Sequence, residues 1–243
     1  MASQTGKRKL EHHLQHPEDE RTVDSGGMRD VMLGLNDGLV ASFAVTSGVA
    51  AAFAAPRIAV MAGMAEMLGG AISMAAAAFI SSRSQVEIYE SEIAREHDEI
   101  TRWPEHERDE VRAIYRKKGF SGPLLDEIVA HITADPERWR DVMMREELGL
   151  HHEHLDVPHR SAVRVGLSYL LGAAIPVIPY TLLGSPRAVT VSASVTILAL
   201  FIVGAAKTLV TSRSWWRSGL ESLAVGVAAA IVTFGAGWMF RTR

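Results

Sequence analysis

Two carboxylates fall where carboxylates are expensive. Asp37 interrupts the apolar run from Val31 to Ala55, and Glu66 the run from Ile58 to Ile80. An ionisable group inside hydrocarbon costs at least about 2.5 to 3.5 kcal/mol on an insertion scale, which makes each a candidate for function. Read as helices, the first run puts Asp37 on a face with Gly34, Ala41, Ala44 and Gly48, and the second puts Glu66 with Gly63, Gly70, Ser73 and Ala77. Such small-residue stripes let helix backbones approach closely in lipid. Met74 adds a thioether to the second run. At a rise of about 1.5 Å per residue, Asp37 and Met74 sit roughly 9 Å from the polar ends of their runs and Glu66 about 21 Å. Oxygen and sulfur donors therefore form a ladder suited to a cation path. The competing reading has Asp37 capping or bonding a neighbouring helix with Asn36, Glu66 protonated and bonded to Ser73 or a carbonyl, and Met74 filling a core.

A second constellation follows in a polar stretch. Glu92, Glu96 and Glu99 share one helical face, and Glu107 and Glu110 repeat the three-residue spacing beyond Pro104. Like charges so placed repel. Glu96, Glu99, Glu107 and Glu110 have no Lys or Arg four residues on, whereas Asp109 has Arg112 three on and Asp141 has Arg145 four on, which read as ordinary solvated pairs. Met143 and Met144 precede Glu147 by four and three residues, so thioethers and a carboxylate can converge. Mixed oxygen and thioether ligation suits ferrous iron, cobalt or zinc, since calcium and magnesium use oxygen alone. Manganese is compatible through the carboxylates. A solvated acidic face with core methionines is the plainer alternative. His97, His106, His151, His152 and His154 could add imidazole, although each singly reads more often as a surface residue; His12, His13 and His16 are weaker still.

These residues need elements to position them. Five segments reach the roughly 20 apolar residues that a membrane-spanning helix requires: Val31 to Ala55, Ile58 to Ile80, Ser161 to Leu183, Ala188 to Val210 and Gly219 to Phe240. The fold class expected is all-α, a polytopic membrane protein of five spans with a helical metal-binding insert. The overall figures, 243 residues with net charge -3, hide this division. Nineteen of 28 acidic residues but only eleven of 25 basic ones lie between Ser84 and Arg160, a net -8 against +5 elsewhere. Expected boundaries are a flexible tail at 1–29, spans one and two at 30–83, the insert at 84–160 and spans three to five at 161–243. In the insert, Gln85 to Arg102 continues the second span, Pro104 breaks the helix, and Glu105 to Lys118, Leu124 to Ala134 and Glu137 to Gly149 follow, the last capped by Asp135. Lys207 and Glu221 lie near span ends, where snorkelling or a mutual salt bridge explains them.

Lys and Arg near span ends set orientation. Lys7 to Lys9, Arg21, Arg29, Arg83, Arg160, Arg213 and Arg217 share one side, against Arg57, Arg187, Arg241 and Arg243, which places the amino terminus and the insert in the cytosol and the carboxyl terminus outside. The polar first 30 residues contain no apolar h-region, so no removable signal peptide is expected. The absence of cysteine excludes disulfides, thiolate nucleophiles and cysteine-held clusters. No phosphate-binding glycine loop, zincin motif or Ser-His-Asp order appears, so the chain is not expected to be an enzyme or an ATP-driven pump, and no nucleic-acid partner or resident cofactor is expected. Transport would be secondary, with protons as the natural coupling ion.

Four groups of residues resemble the vacuolar iron transporters: Arg29-Asp30-Val31-Met32-Leu33-Gly34-Leu35-Asn36-Asp37-Gly38-Leu39, Gly70-Ala71-Ile72-Ser73-Met74, Gly172-Ala173-Ala174-Ile175-Pro176 with Pro179-Tyr180, and Lys207-Thr208 with Thr211-Ser212-Arg213-Ser214. The resemblance spans roughly residues 26 to 240. It implies a homodimer of five-span protomers in a vacuolar or bacterial plasma membrane, exchanging cytosolic ferrous iron, in some members manganese, for protons along a path between the subunits. By position it implies path residues Asp37, Glu66 and Met74, and insert ligands Glu96, Glu99, Glu107, Glu110, Met143, Met144 and Glu147. Many members follow the Ser-Met motif with Gly-Glu-aromatic, where this chain has Ala77, Ala78 and Phe79. One carboxylate at the cytosolic mouth is therefore missing.

The function expected is export of ferrous iron from the cytosol for detoxification or storage, with manganese and other divalent transition ions as further cargo. The alternative is a membrane-tethered carboxylate domain that sequesters or oxidises iron without transport. A ferritin-like di-iron site wants Glu-x-x-His motifs, whereas this chain repeats Glu-x-x-Glu and would leave Asp37 and Glu66 unexplained.

Overall fold

The computed structural model describes residues 25–53, 55–152, 155–183, 187–209 and 214–240. The first 24 residues with His12, His13 and His16, and also His154, Val210, Thr211 to Arg213, Arg241 and Arg243, lie outside the described residues. Among the described residues there are eight α-helices and no strand: α1 (Ser25–Ala52), α2 (Pro56–Arg102), α3 (Pro104–Lys117), α4 (Gly122–Thr133), α5 (Pro136–Glu146), α6 (Pro158–Leu182), α7 (Arg187–Ala206) and α8 (Trp215–Met239). Helices α1, α2, α6, α7 and α8 are long and apolar enough to cross a membrane, so the chain is an all-α polytopic membrane protein.

Some span ends differ from those that hydropathy alone suggests. Helix α1 begins at Ser25 and takes in the last five residues of the expected tail. As expected, the run from Ile58 to Ile80 and the stretch from Gln85 to Arg102 are one uninterrupted helix of 47 residues, since no proline or glycine pair separates them. The fourth span ends at Ala206 and hands over to a 3-10 turn at Lys207–Leu209, and α8 starts four residues earlier than the apolar run suggests.

The chain divides into two compact units, one taking α1, α2 as far as Ala75 and everything from Val163 on, the other Ala76–Ala162. In the first, α1 packs on α7 and α8, which pack on each other. Helices α1 and α6 touch backbone to backbone. A Cβ added at Gly34 or Gly38 would strike the carbonyl of Val165 or Tyr169, and one at Gly172 the carbonyl of Leu35. Pro176 and Pro179 lie inside α6, where neighbouring helices can engage the backbone that proline disturbs. Buried Ser192 of α7 ties that helix to this segment, donating to the Pro176 carbonyl at 2.7 Å.

The second unit is a small bundle. Trp103 leaves helical geometry (φ -130°, ψ 53°) and Pro104 opens α3, at a position where a missing N–H costs nothing. Gly119 (φ +99°) and Gly122 (φ +61°) turn the chain into α4, in a backbone region that L side chains rarely adopt. Asp135 caps α5, its Oδ1 accepting from the Glu137 N–H at 3.0 Å and the Arg138 N–H at 3.4 Å. Val111, Leu125, Val129, Ile132, Trp139 and Met143 form the core. Large apolar side chains so buried contribute about 1.5 to 3 kcal/mol each, against chain entropy of comparable size.

Candidate functional site

Three helices meet at Glu66. Ser42 of α1 donates its hydroxyl to one carboxylate oxygen and Tyr169 of α6 donates to the other. Glu66 therefore bonds to α1 and α6 rather than to Ser73 on its own helix. Tyr169 is nearly fully buried and packs with Ala71 and Ala173, against which Met67 and Met74 also lie. At Gly70 an added Cβ would meet the Tyr169 hydroxyl and ring, so this glycine makes the room that Tyr169 occupies. Glu66 and Met74 thus both lie against the cluster around Tyr169. Asn36, adjacent to Asp37 in the chain, has a buried Oδ1 with no hydrogen-bond partner among the described residues, an open acceptor of the kind a cation takes. Asp37 and Glu66 are themselves only partly buried.

Neither Ser42 nor Tyr169 stands out from apolar periodicity alone. Two signals could have found them. Gly34, Gly38, Ser42 and Thr46 recur every fourth residue in α1 as a small, hydroxyl-bearing stripe. Tyr169 lies in the middle of a span, away from the interfaces where tyrosine normally concentrates.

The second unit assembles the acidic positions. The charges of Glu96 and Glu99 on α2, Glu107 and Glu110 on α3 and Glu147 at the end of α5 act on one another. Glu96 and Glu107 are 1% and 3% exposed, and one carboxylate oxygen of each is buried without a hydrogen-bond partner. Such atoms are costly unless a proton or a cation completes them. Burial, and then the surrounding carboxylates, push both groups up to about 7. Glu147 is more open, and partial loss of hydration followed by the Glu110 charge raises it as well. Basic side chains sit alongside: His106 Nε2 lies 3.5 Å from Glu110, and Arg95 approaches Glu92, Glu96 and Glu99. Arg95 precedes Glu99 by four residues, so a carboxylate followed by its basic partner does not reveal this pair.

The two methionines divide. Met143 belongs to the apolar core with Val111, Val129 and Trp139, whereas Met144 is as deeply buried but outside that cluster. Of the histidines, His152 stands edge-on to Tyr89 with ring centroids 5.8 Å apart, and His97 is exposed. Arg112 pairs with Asp109 at 3.0 Å as spacing suggested, while Asp141 lies 3.8 Å from Arg140. Among the described residues no group of three or more His, Asp or Glu is drawn tightly enough to enclose an ion. The carboxylates feel one another without converging on a centre.

The pattern that defines the VIT family matches residues 28–238 of this chain. The chain is 35% identical to vacuolar iron transporter 1 of Arabidopsis thaliana over 227 residues, 93% of this chain and 89% of that one. It is 34% identical over 209 residues to vacuolar iron transporter 1 of Eucalyptus grandis, covering 86% and 84%. It is 28% identical to protein CCC1 of Saccharomyces cerevisiae over 229 residues, covering 90% and 70%.

Proposed function

The chain belongs to the VIT family, and from that premise we propose that it is an antiporter carrying ferrous iron out of the cytosol in exchange for protons. Metal transport across a membrane, without an enzymatic role, follows from the membership; the ion, its coupling and its direction are the reading offered here. The observation that carries it is the Ser42–Glu66–Tyr169 convergence inside the membrane-spanning unit. A carboxylate at that depth is retained at high cost. Two hydroxyls that hold its oxygens let it alternate between a bound proton and a bound cation without unpaired charge.

In this reading the amino terminus and the acidic unit face the cytosol, in keeping with Arg29, Arg83, Arg160 and Arg217 near the same span ends. Carboxylates Glu96, Glu99, Glu107, Glu110 and Glu147, with Met144 as the thioether and Met143 left to the core, capture the ion. It passes to Asp37 and Met74, and then to Glu66, which gives up a proton to receive it. Tyr169 and Ser42 act as positioning residues. Names of the relatives favour iron as cargo and a vacuolar membrane as location; carboxylate-rich ligation admits manganese, and cobalt or zinc, as further cargo.

The functional unit is read as a homodimer. Asp37 and Glu66 are only partly covered within one protomer, and Met61, Leu68 and Ile72 of α2 are exposed apolar residues. A second copy would shield the carboxylates from lipid. Sequestration or oxidation without transport would leave Glu66, Ser42 and Tyr169 without a role.

The test uses the full chain in vesicles holding a trapped iron-sensitive dye. Ferrous iron influx that needs an acidic lumen and is lost in Asp37→Ala is expected. Tight iron binding with no influx would move the function to sequestration.

A further inference from the structure

A guanidinium sits inside the carboxylate cluster. Arg95 Nη2 lies 2.8 Å from Glu92 Oε2 and 3.5 Å from Glu96 Oε1, and Arg95 Nε lies 3.8 Å from Glu99 Oε2. The three contacts are unequal. That to Glu92 is the shortest of three ion pairs, and those to Glu96 and Glu99 are longer. The Arg95 side chain is 49% exposed while that of Glu96 is 1% exposed, so the cation reaches inward from the solvent edge of the cluster. Helix support does not account for the Glu99 contact, because an acidic residue stabilises a helix best when it precedes its basic partner by four.

We propose that Arg95 is a displaceable counter-ion for the carboxylate cluster: without metal it neutralises Glu96 and Glu99, and a divalent cation that takes those two carboxylates sends it back onto Glu92. The inference rests on the reading of this cluster as the place of ion capture. It assigns a role to Glu92, which the expected ligand set omits, as the anion that keeps Arg95 paired once the ion is bound. A tethered cation holds like charges together in the empty protein. It also competes with every incoming ion and so keeps affinity low enough for the ion to leave. A transit site needs that weakness; a storage site does not.

The experiment measures Mn2+ binding to the full chain in detergent at fixed pH and ionic strength. It scores only those sites that Glu96→Gln combined with Glu107→Gln abolishes. Arg95→Gln is expected to tighten them about threefold to tenfold, the range that loss of a partly exposed competing ion pair allows. Arg95→Lys, which keeps the charge but loses the fork, is expected to stay near the starting affinity. Glu92→Gln is expected to weaken binding, and that weakening is expected to vanish when Arg95→Gln is also present, because Glu92 acts through Arg95. An unchanged affinity in Arg95→Gln, or a Glu92→Gln effect of equal size with and without Arg95, overturns the inference and leaves the cluster as a metal site. If the paired glutamine variant abolishes no site, the reading of the cluster as ion capture fails, and this inference with it.

Discussion

Tyr169, in the middle of α6, donates its hydroxyl to Glu66 of α2, although 103 residues separate them in the chain. Because Ser42 donates to the second oxygen, Glu66 is tied to both neighbouring helices. Removing one donor should therefore change the chemistry of Glu66 without removing it. In Tyr169→Phe the ring still fills its space, and the account predicts an iron influx slower by roughly tenfold or more, from the loss of a bond to a charged group. Stopped-flow uptake into vesicles checks this, and an unaltered rate would remove Tyr169 from the path.

Gly70 supplies a geometric check on the same contact. An added methyl meets the Tyr169 hydroxyl and ring, so Gly70→Ala should slow influx and lower stability by about 1 to 3 kcal/mol, as overpacking does. Because the hydroxyl oxygen is the nearest atom, Tyr169→Phe in the same chain should recover part of the stability. Thermal unfolding of the single and double variants decides it. A double variant no more stable than Gly70→Ala alone would place Tyr169 elsewhere.

Much of this architecture was legible in the sequence, and for physical reasons. Long apolar runs can be satisfied in lipid only as helices, so the five spans follow from composition, and Asp135 and Pro104 announce a cap and a break through their own backbone chemistry. The donors to Glu66 were not legible in the same way. Which residue of α6 faces α2 depends on how closely Gly34, Gly38 and Gly172 bring α1 and α6 together, a tertiary fact that hydropathy does not carry. Met143 and Met144 illustrate the same limit. Their spacing to Glu147 is equally good for both, yet the core takes Met143.

That division makes a separate prediction. Met143→Ala opens a cavity among Val111, Val129 and Trp139 and should cost about 2 to 5 kcal/mol of stability, while Met143→Leu should cost little. Met144→Leu should leave stability near the starting value and weaken binding of a thioether-seeking ion such as Co2+ more than that of Mn2+. Thermal unfolding and isothermal titration on the same preparations separate the two roles. Equal losses of Co2+ binding in both leucine variants would return Met143 to the ligand set.

The buried carboxylates give the second unit a pH dependence of known sign. Glu96 and Glu107 titrate at about 7 in the folded protein against 4.5 as the ordinary value, so between those values the folded state holds protons that the unfolded chain has released. The stability these groups contribute is full below the ordinary value and is lost as pH rises through about 7. Hydrogen exchange across residues 76–162 should therefore show greater protection on acidification from neutral toward about pH 5. Glu96→Gln with Glu107→Gln should flatten the trend, and saturating Mn2+ should reverse it by favouring the ionised carboxylates. A protection profile indifferent to pH in the unmodified protein would contradict the burial of these two groups.

The exchange of a proton for an ion at Glu66 is tested most directly by recording both at once. Vesicles containing the full chain, loaded with one dye for ferrous iron and a second for lumenal pH, report influx of iron and loss of lumenal protons in the same trace. The account predicts that the two rise together in the unmodified protein and that both stop in Glu66→Gln. Iron influx that leaves lumenal pH unmoved, or an undiminished exchange in Glu66→Gln, would contradict it.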